Sequence, residues 1–415
     1  MRIWRWVYVS SLLLTLVVGL GVTNPLPDMD VKDSRVPQYV VDPFWPKPLP
    51  NEPKTGKPWV TGEVAGSCVD SRDHIFTVNR GYNNGLVSPE TLVAVASPPV
   101  VEYDPHGNVV NAWGDPAVLP NGVHGCFVDY QDNVWIAGNG DGIVQKYSRK
   151  GALLLQIGTK GVCDSPTNAC GAPGSNSSTT LLNQPADMAV DPTNGDVYIA
   201  DGYGNHRVAV FDAKGVFLRQ WGSAGTSPGQ FGVGGGGHPH CIVLGNDRLV
   251  YTCDRGQDRI QVFDKLGNLV KIIPVIPGTG SVIPDTGMAG IGTAGSAWDV
   301  EFSPDRRQEL MFNADGGNEV VWTFNRLAAL AGAALTAKPG QGILVGFGRP
   351  GHNAGEFTFL HTVAADSKGN LYIAETVGGR RIQKFVPRRG KGNDLHVFTP
   401  AGNPDQLLPH YDPVK

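Results

Sequence analysis

The sequence predicts an all-β fold, a six-bladed β-propeller of four-stranded blades, and three observations carry that expectation. Short apolar runs rich in Val, Ile, Leu, Tyr and Phe are separated by turn residues drawn from 55 glycines and 32 prolines, the pattern of strands punctuated by turns. Long amphipathic helical patterns are nearly absent,. One four-strand grammar recurs along the chain, and closed repeat architectures can carry 415 residues as one unit,.

The clearest copy runs from Pro185 to Gln220, PADMAVDPTNGDVYIADGYGNHRVAVFDAKGVFLRQ, and reads as strand, Asn-Gly turn, strand, tight turn, strand, Lys-Gly turn, strand. Four antiparallel strands in succession make one propeller blade. The same order returns from His240, from His361 and, more weakly, from His124, with two degenerate copies around Ala65 to Gly114 and Trp298 to Gly348. Aligned on the residue that closes the first strand, the copies register at Asp70, Asp129, Asp191, Gly245, Ser303 and Asp366. The spacing exceeds the roughly 40 to 45 residues of a compact repeat because insertions lie between strands. Among them are SPETLVAVASPP, the loop from Cys163 to Cys170, the Gly-rich GVGGGGHPH, and GTGSVIPDTGMAGIGTAG; the Ala-rich LAALAGAALTA is the one expected helix. Six blades are expected, and seven if the Pro-rich VVDPFWPKPLP hides a strand. The pattern [VIL]-Y-I-A-[DE] followed by R-[VI]-x-x-F resembles the NHL family of propellers over roughly residues 58 to 390; the resemblance implies fold more than function.

Arg2 and Arg5 precede an apolar stretch from Val7 to Val22 that ends near Gly19 and Gly21. It reads as a signal peptide or an N-terminal anchor over 1–22, which places the body outside the cytoplasm as a secreted, periplasmic or extracellular protein. A Pro-rich segment (23–57), the propeller (58–400) and a tail (401–415) complete the expected division. The net charge of -4, with both signs interspersed, offers no basic stripe; nucleic acid is excluded as a partner, and so is a membrane beyond the N-terminal segment. The six cysteines fit an oxidising compartment,. Cys163 and Cys170 bracket the polar loop CDSPTNAC and are expected to form a disulfide. Cys241 and Cys253 flank the turn GNDR, where a hairpin would let them meet, and Cys68 and Cys126 have no candidate partner but each other. No C-x-x-C occurs, so a thiolate metal site is not supported.

Five residues before each strand-closing position stand Ala65, His124, Ala186, His240, Trp298 and His361. The first strand of each blade lines the central channel, so these positions form a ring at one depth, with histidine in every second blade. Three of the chain's ten histidines fall in this slot. Imidazoles from alternate blades stand about 120° apart and converge, and three neutral imidazoles with an open position suit a catalytic divalent metal, zinc by ligand type. Arg80 and Arg255 occupy one slot just after the second strand in blades one and four, where two guanidiniums would hold a carboxylate. Tyr203 lies in the matching turn of blade three as a candidate proton acceptor.

With the histidines in the contexts NGVHGC, GHPHCI and FLHTVA, the chain resembles the catalytic core of peptidyl-α-hydroxyglycine α-amidating lyase. That resemblance implies a zinc on His124, His240 and His361, a catalytic tyrosine in DGYGNHR at Tyr203, and channel arginines at Arg80 in NRGY and Arg255 in CDRG. The family has methionine where this chain has Phe359, and an aspartate of a structural calcium site where this chain has Thr362. Calcium is therefore deprived of its family ligand, and the substrate pocket has a different wall. The expected function is a zinc-dependent lyase that cleaves a carbinolamide C–N bond to give an amide and glyoxylate, acting on a small molecule or a peptide C-terminus. The alternatives are a metal-dependent hydrolase or lactonase on the same site, and a non-catalytic propeller that binds protein or glycan.

Overall fold

The computed structural model describes residues 37–87, 90–233, 236–276, 295–332 and 343–388. The expected signal segment, most of the GTGSVIPDTGMAGIGTAG insertion, the end of the Ala-rich stretch and the tail lie outside the described residues. Six four-stranded antiparallel sheets form the blades. Their inner strands are Val64–Val69, Val123–Val128, Asp187–Val190, Ile242–Leu244, Asp299–Phe302 and Leu360–Ala365.

The sixth blade corrects the expected start of the propeller. Its outer strand is Gln38–Asp42, which pairs antiparallel with Arg381–Arg388, so the described sheet begins at residue 38 and not near 58. QYVVD can form a strand, but the prolines at 43, 46, 48 and 50 give the neighbourhood a breaker composition. The hidden strand adds no seventh blade. It joins an N-terminal strand to the C-terminal strands in one sheet and thereby closes the ring of blades,.

Six apolar clusters alternate with the six blades, one at each junction, from Ala65, Phe76, Ile136 and Tyr147 between the first two to Trp45, Tyr103 and Tyr372 between the last and first. Period-two alternation alone would expose one face of each sheet, but here both faces are covered and the second strand of every blade reads buried at nearly every residue,.

The repeat motif has a polar reason. Asp201, Asp254 and Glu375 end second strands and face Arg207, Arg259 and Arg381 across the pair. Each arginine Nε donates to its carboxylate at 2.9, 2.7 and 2.7 Å. The remaining guanidinium N–H groups reach carbonyls of the loop entering the blade, such as those of Leu181, Gln230 and Glu356. The pair thus ties each blade to the connection before it. The strand-closing aspartates accept backbone N–H groups within their own turns, as Asp129 does from Gln131 and Asn133,.

All three disulfides form: Cys68–Cys126, Cys163–Cys170 and Cys241–Cys253. The expected helix is present as Arg326–Ala331, capped by the Asn325 side chain and by left-handed Gly332,. A second short helix, Glu90–Val93, forms inside the SPETLVAVASPP insertion, so the Ala-rich stretch is not the one helix that the sequence led us to expect.

Candidate metal centre

The channel slot brings its three histidines together. The ligand nitrogens of His124, His240 and His361 lie within 4.8 Å of one another, and the rings stand 4.6 to 5.2 Å apart, crossed at 75° to 82°. All three are buried. Burial is the first cause that holds each below the usual imidazole range, His361 down to about 3; the cation Arg255 acts in the same direction on all three, and Arg80 on His124 and His361. The rings are therefore neutral at pH 7.

The other three slot members orient them. His124 Nδ1 donates to the carbonyl of Ala186 at 2.8 Å, His240 Nδ1 to Trp298 at 2.7 Å, and His361 Nδ1 to Ala65 at 2.6 Å. A neutral imidazole that donates from Nδ1 carries its lone pair on Nε2, so three lone pairs face the channel axis. This donor set fits a divalent ion that prefers nitrogen, with its orienting partners supplied by backbone.

The Tyr203 hydroxyl stands 3.0 Å from His124 Nε2 and 3.1 Å from His240 Nε2. The glycine-rich loop presses on it: a Cβ on Gly237 would lie 2.9 Å from the Tyr203 ring and 3.1 Å from His240. Tyr203, Arg80, Arg255, His124 and His361 line one cavity of about 180 Å³, which admits a small molecule or a chain end and falls below the size of most drug-sized sites.

The two arginines are held differently. Arg80 donates to the Val123 carbonyl at 2.8 Å, to Glu63 at 3.2 Å and to Asn139 at 3.2 Å. Arg255 is buried, its guanidinium carbon 4.3 Å over the face of Trp298,. Burial draws Arg255 below the usual guanidinium range, and the Tyr203 hydroxyl, hydrogen-bonded to it, acts in the opposite sense.

Sequence reasoning passes over several residues here. Asn139 fixes Arg80, and Trp298, read only as a slot member, both anchors His240 and carries Arg255. On the far side of the histidines a second cavity, of about 350 Å³, is lined by Asp187, Asp299, Glu301, Ser67 and Thr362, among others. Burial pushes these three carboxyls up, Glu301 to about 7, and the charge of Asp187 adds to the effect on Asp299 and Glu301. Asp187 and Asp299 directly follow slot members, so a second ring one residue along was the available signal. Thr362 meets Ser67 there, hydroxyl to hydroxyl at 3.3 Å.

Fold and channel together define a six-bladed propeller of NHL-type blades with a buried three-histidine ring. The NHL repeat model matches residues 182–211, in the third blade. NHL repeat-containing protein 3 of Homo sapiens is 26% identical over 367 residues, covering 84% of this chain and 84% of that protein. Peptidyl-alpha-hydroxyglycine alpha-amidating lyase 1 of Drosophila melanogaster is 25% identical over 280 residues, covering 64% of this chain and 44% of that protein. Peptidylglycine alpha-amidating monooxygenase of Rattus norvegicus is 30% identical over 222 residues, covering 49% of this chain and 20% of that protein. The chain resembles proteins named for amidation, and its three disulfides fit an oxidising environment,. No helix among the described residues is long and apolar enough to cross a membrane.

Proposed function

We propose that the protein is a metal-dependent lyase that cleaves the C–N bond of an N-acyl-α-hydroxyglycine to give an amide and glyoxylate. One observation carries the reading: the Tyr203 hydroxyl sits within hydrogen-bond distance of two of three convergent histidine Nε2 atoms, in a cavity that also holds Arg80 and Arg255. The similarity to proteins named as amidating lyases supports it.

His124, His240 and His361 would hold the ion. When bound, a divalent ion such as zinc would supply Lewis acidity to the substrate's hydroxyl oxygen. In this reading Tyr203 is the base that takes the carbinol proton. The C–N electron pair leaves with nitrogen as the carbon–oxygen double bond forms, and the proton passes to that nitrogen, so substrate atoms divide between amide and glyoxylate with nothing added. Arg255, and Arg80 through the N–H groups not given to Glu63, Val123 and Asn139, hold the carboxylate that becomes part of glyoxylate,.

The test is glyoxylate release from peptides ending in α-hydroxyglycine by metal-loaded protein. Activity on esters or lactones instead would assign the site to hydrolysis, and inactivity of metal-loaded protein on several such peptides would defeat the lyase reading.

A further inference from the structure

Arg80, Asn139 and Arg255 directly follow the second strands Ile75–Asn79, Val134–Gly138 and Val250–Asp254, and Tyr203 stands two residues beyond Val197–Asp201. All four line the one cavity that reaches His124 and His361. In blade order Asn139 falls between Arg80 and Tyr203, a neutral amide beside a cation and a phenol.

The backbone of Asn139 is held on both sides. Its N–H donates to the Gly122 carbonyl at 3.0 Å, and its carbonyl accepts the Gln184 side-chain amide at 2.6 Å. Gln184 in turn accepts the Tyr203 N–H on its own carbonyl at 3.2 Å, so one frame carries Asn139 and Tyr203. The side chain has one orientation. Arg80 can only donate, so the atom that faces its Nη2 at 3.2 Å is Oδ1,. Gly122, at φ 58°, backs the same atom, where a Cβ would fall 2.8 Å away. Nδ2 is therefore turned from Arg80, and it meets no acceptor among the described residues.

We propose that Asn139 Nδ2 donates to the acyl oxygen of the substrate and stabilises the charge that reaches it as the C–N bond breaks. This rests on the lyase reading, in which the arginines hold the carboxylate and the hydroxyl lies at the histidines, so that the acyl oxygen still lacks a donor. The electron pair of the broken bond stays with nitrogen and is shared with that oxygen until the hydroxyl proton reaches nitrogen. A fixed donor on the oxygen is worth more at that stage than in the bound substrate.

Levulinate and pentanoate test the contact without the reaction. Levulinate has the shape and acyl oxygen of acetylglycine with a methylene for the N–H, and pentanoate lacks only that oxygen. By calorimetry on metal-loaded protein, levulinate is expected to bind about fivefold tighter. Asn139→Asp keeps an oxygen for Arg80 and removes the donor, and should abolish the ratio; its charge acts on both carboxylates alike. Equal affinities in the wild type, or binding of neither compound, would overturn the contact. So would a ratio intact in Asn139→Asp or Asn139→Ala, the result expected of a residue that only holds Arg80. Glyoxylate release is read separately, and Asn139→Asp should lower kcat about 100-fold with metal content unchanged. The binding ratio without any release keeps the contact and defeats the lyase, whereas release by Asn139→Asp at the wild-type rate keeps the lyase and defeats the role of Asn139.

Discussion

The Nδ1–H of His240 points at the carbonyl oxygen of Trp298, 2.7 Å away, in the next blade. The same relation links His124 to Ala186 and His361 to Ala65, so the ring is a set of three interblade clasps that leaves Nε2 of each histidine facing inward. Main-chain carbonyls on sheet strands move little, which makes the orientation a property of the propeller itself.

A ring prepared this way should hold an ion as purified. About one zinc, or a similar divalent ion, per chain is expected by elemental analysis, and alanine at His124, His240 or His361 should remove most of it. Alanine at His106, in an exposed turn, or at His206, outside the ring, should leave the content unchanged. Absence of any transition metal after reconstitution would refute the site.

Tyr203 lies beside that ring without belonging to its backbone clasps. Tyr203→Phe keeps the ring that Gly237 packs on and removes the oxygen, so metal content should stay while turnover falls about 100-fold or more. Arg255→Ala should also raise KM, because it removes a donor to the carboxylate. Equal activity of wild type and Tyr203→Phe would take this tyrosine out of the chemistry.

The blades and the histidine slot were legible because both repeat: strand grammar sets the blades, and a fixed offset from the closing residue sets the depth in the channel. What repeats less was hidden. Gln38–Asp42 belongs to a blade whose other strands lie at the far end of the chain, and prolines around it mask its propensity. The role of Trp298 toward His240 is played by a carbonyl, which every residue has, so no side chain signals it. The tether on Arg80 depends on Glu63 and Asn139 meeting from different blades, and no local spacing encodes that.

Arg207 and Asp201 provide a stability test, since both side chains are fully buried and paired at 2.9 Å. Removing one partner leaves a buried charge and frees the carbonyls of Ser178 and Leu181. Arg207→Leu is expected to cost about 3–5 kcal/mol in urea unfolding. The exposed pair Arg307–Glu309 should show no measurable change on the corresponding substitution. A small loss at Arg207 would mean that the motif arginine does not hold the blade to its entry loop.

The fifth blade lacks that arginine: Asp315 ends its second strand and faces Val320 across the pair, where other blades place Arg207, Arg259 or Arg381. Asp315 is fully buried, and burial pushes its carboxyl up to about 7 despite hydrogen bonds from Asn318 and Trp322 at 2.6 and 2.8 Å. Because the folded state holds this proton more tightly than the unfolded state, Asp315 contributes stability that is full below about pH 4 and is lost as pH rises toward 7. Glu301 and Glu319, also pushed up by burial, bend the wild-type curve in the same direction, so the comparison is with Asp315→Asn, which keeps them. Across that window wild type should lose about 1.4 kcal/mol per pH unit relative to the variant, measured by urea unfolding at several pH values. A difference that does not change with pH would mean that Asp315 is already ionised in the folded blade, held by its four N–H donors without an arginine.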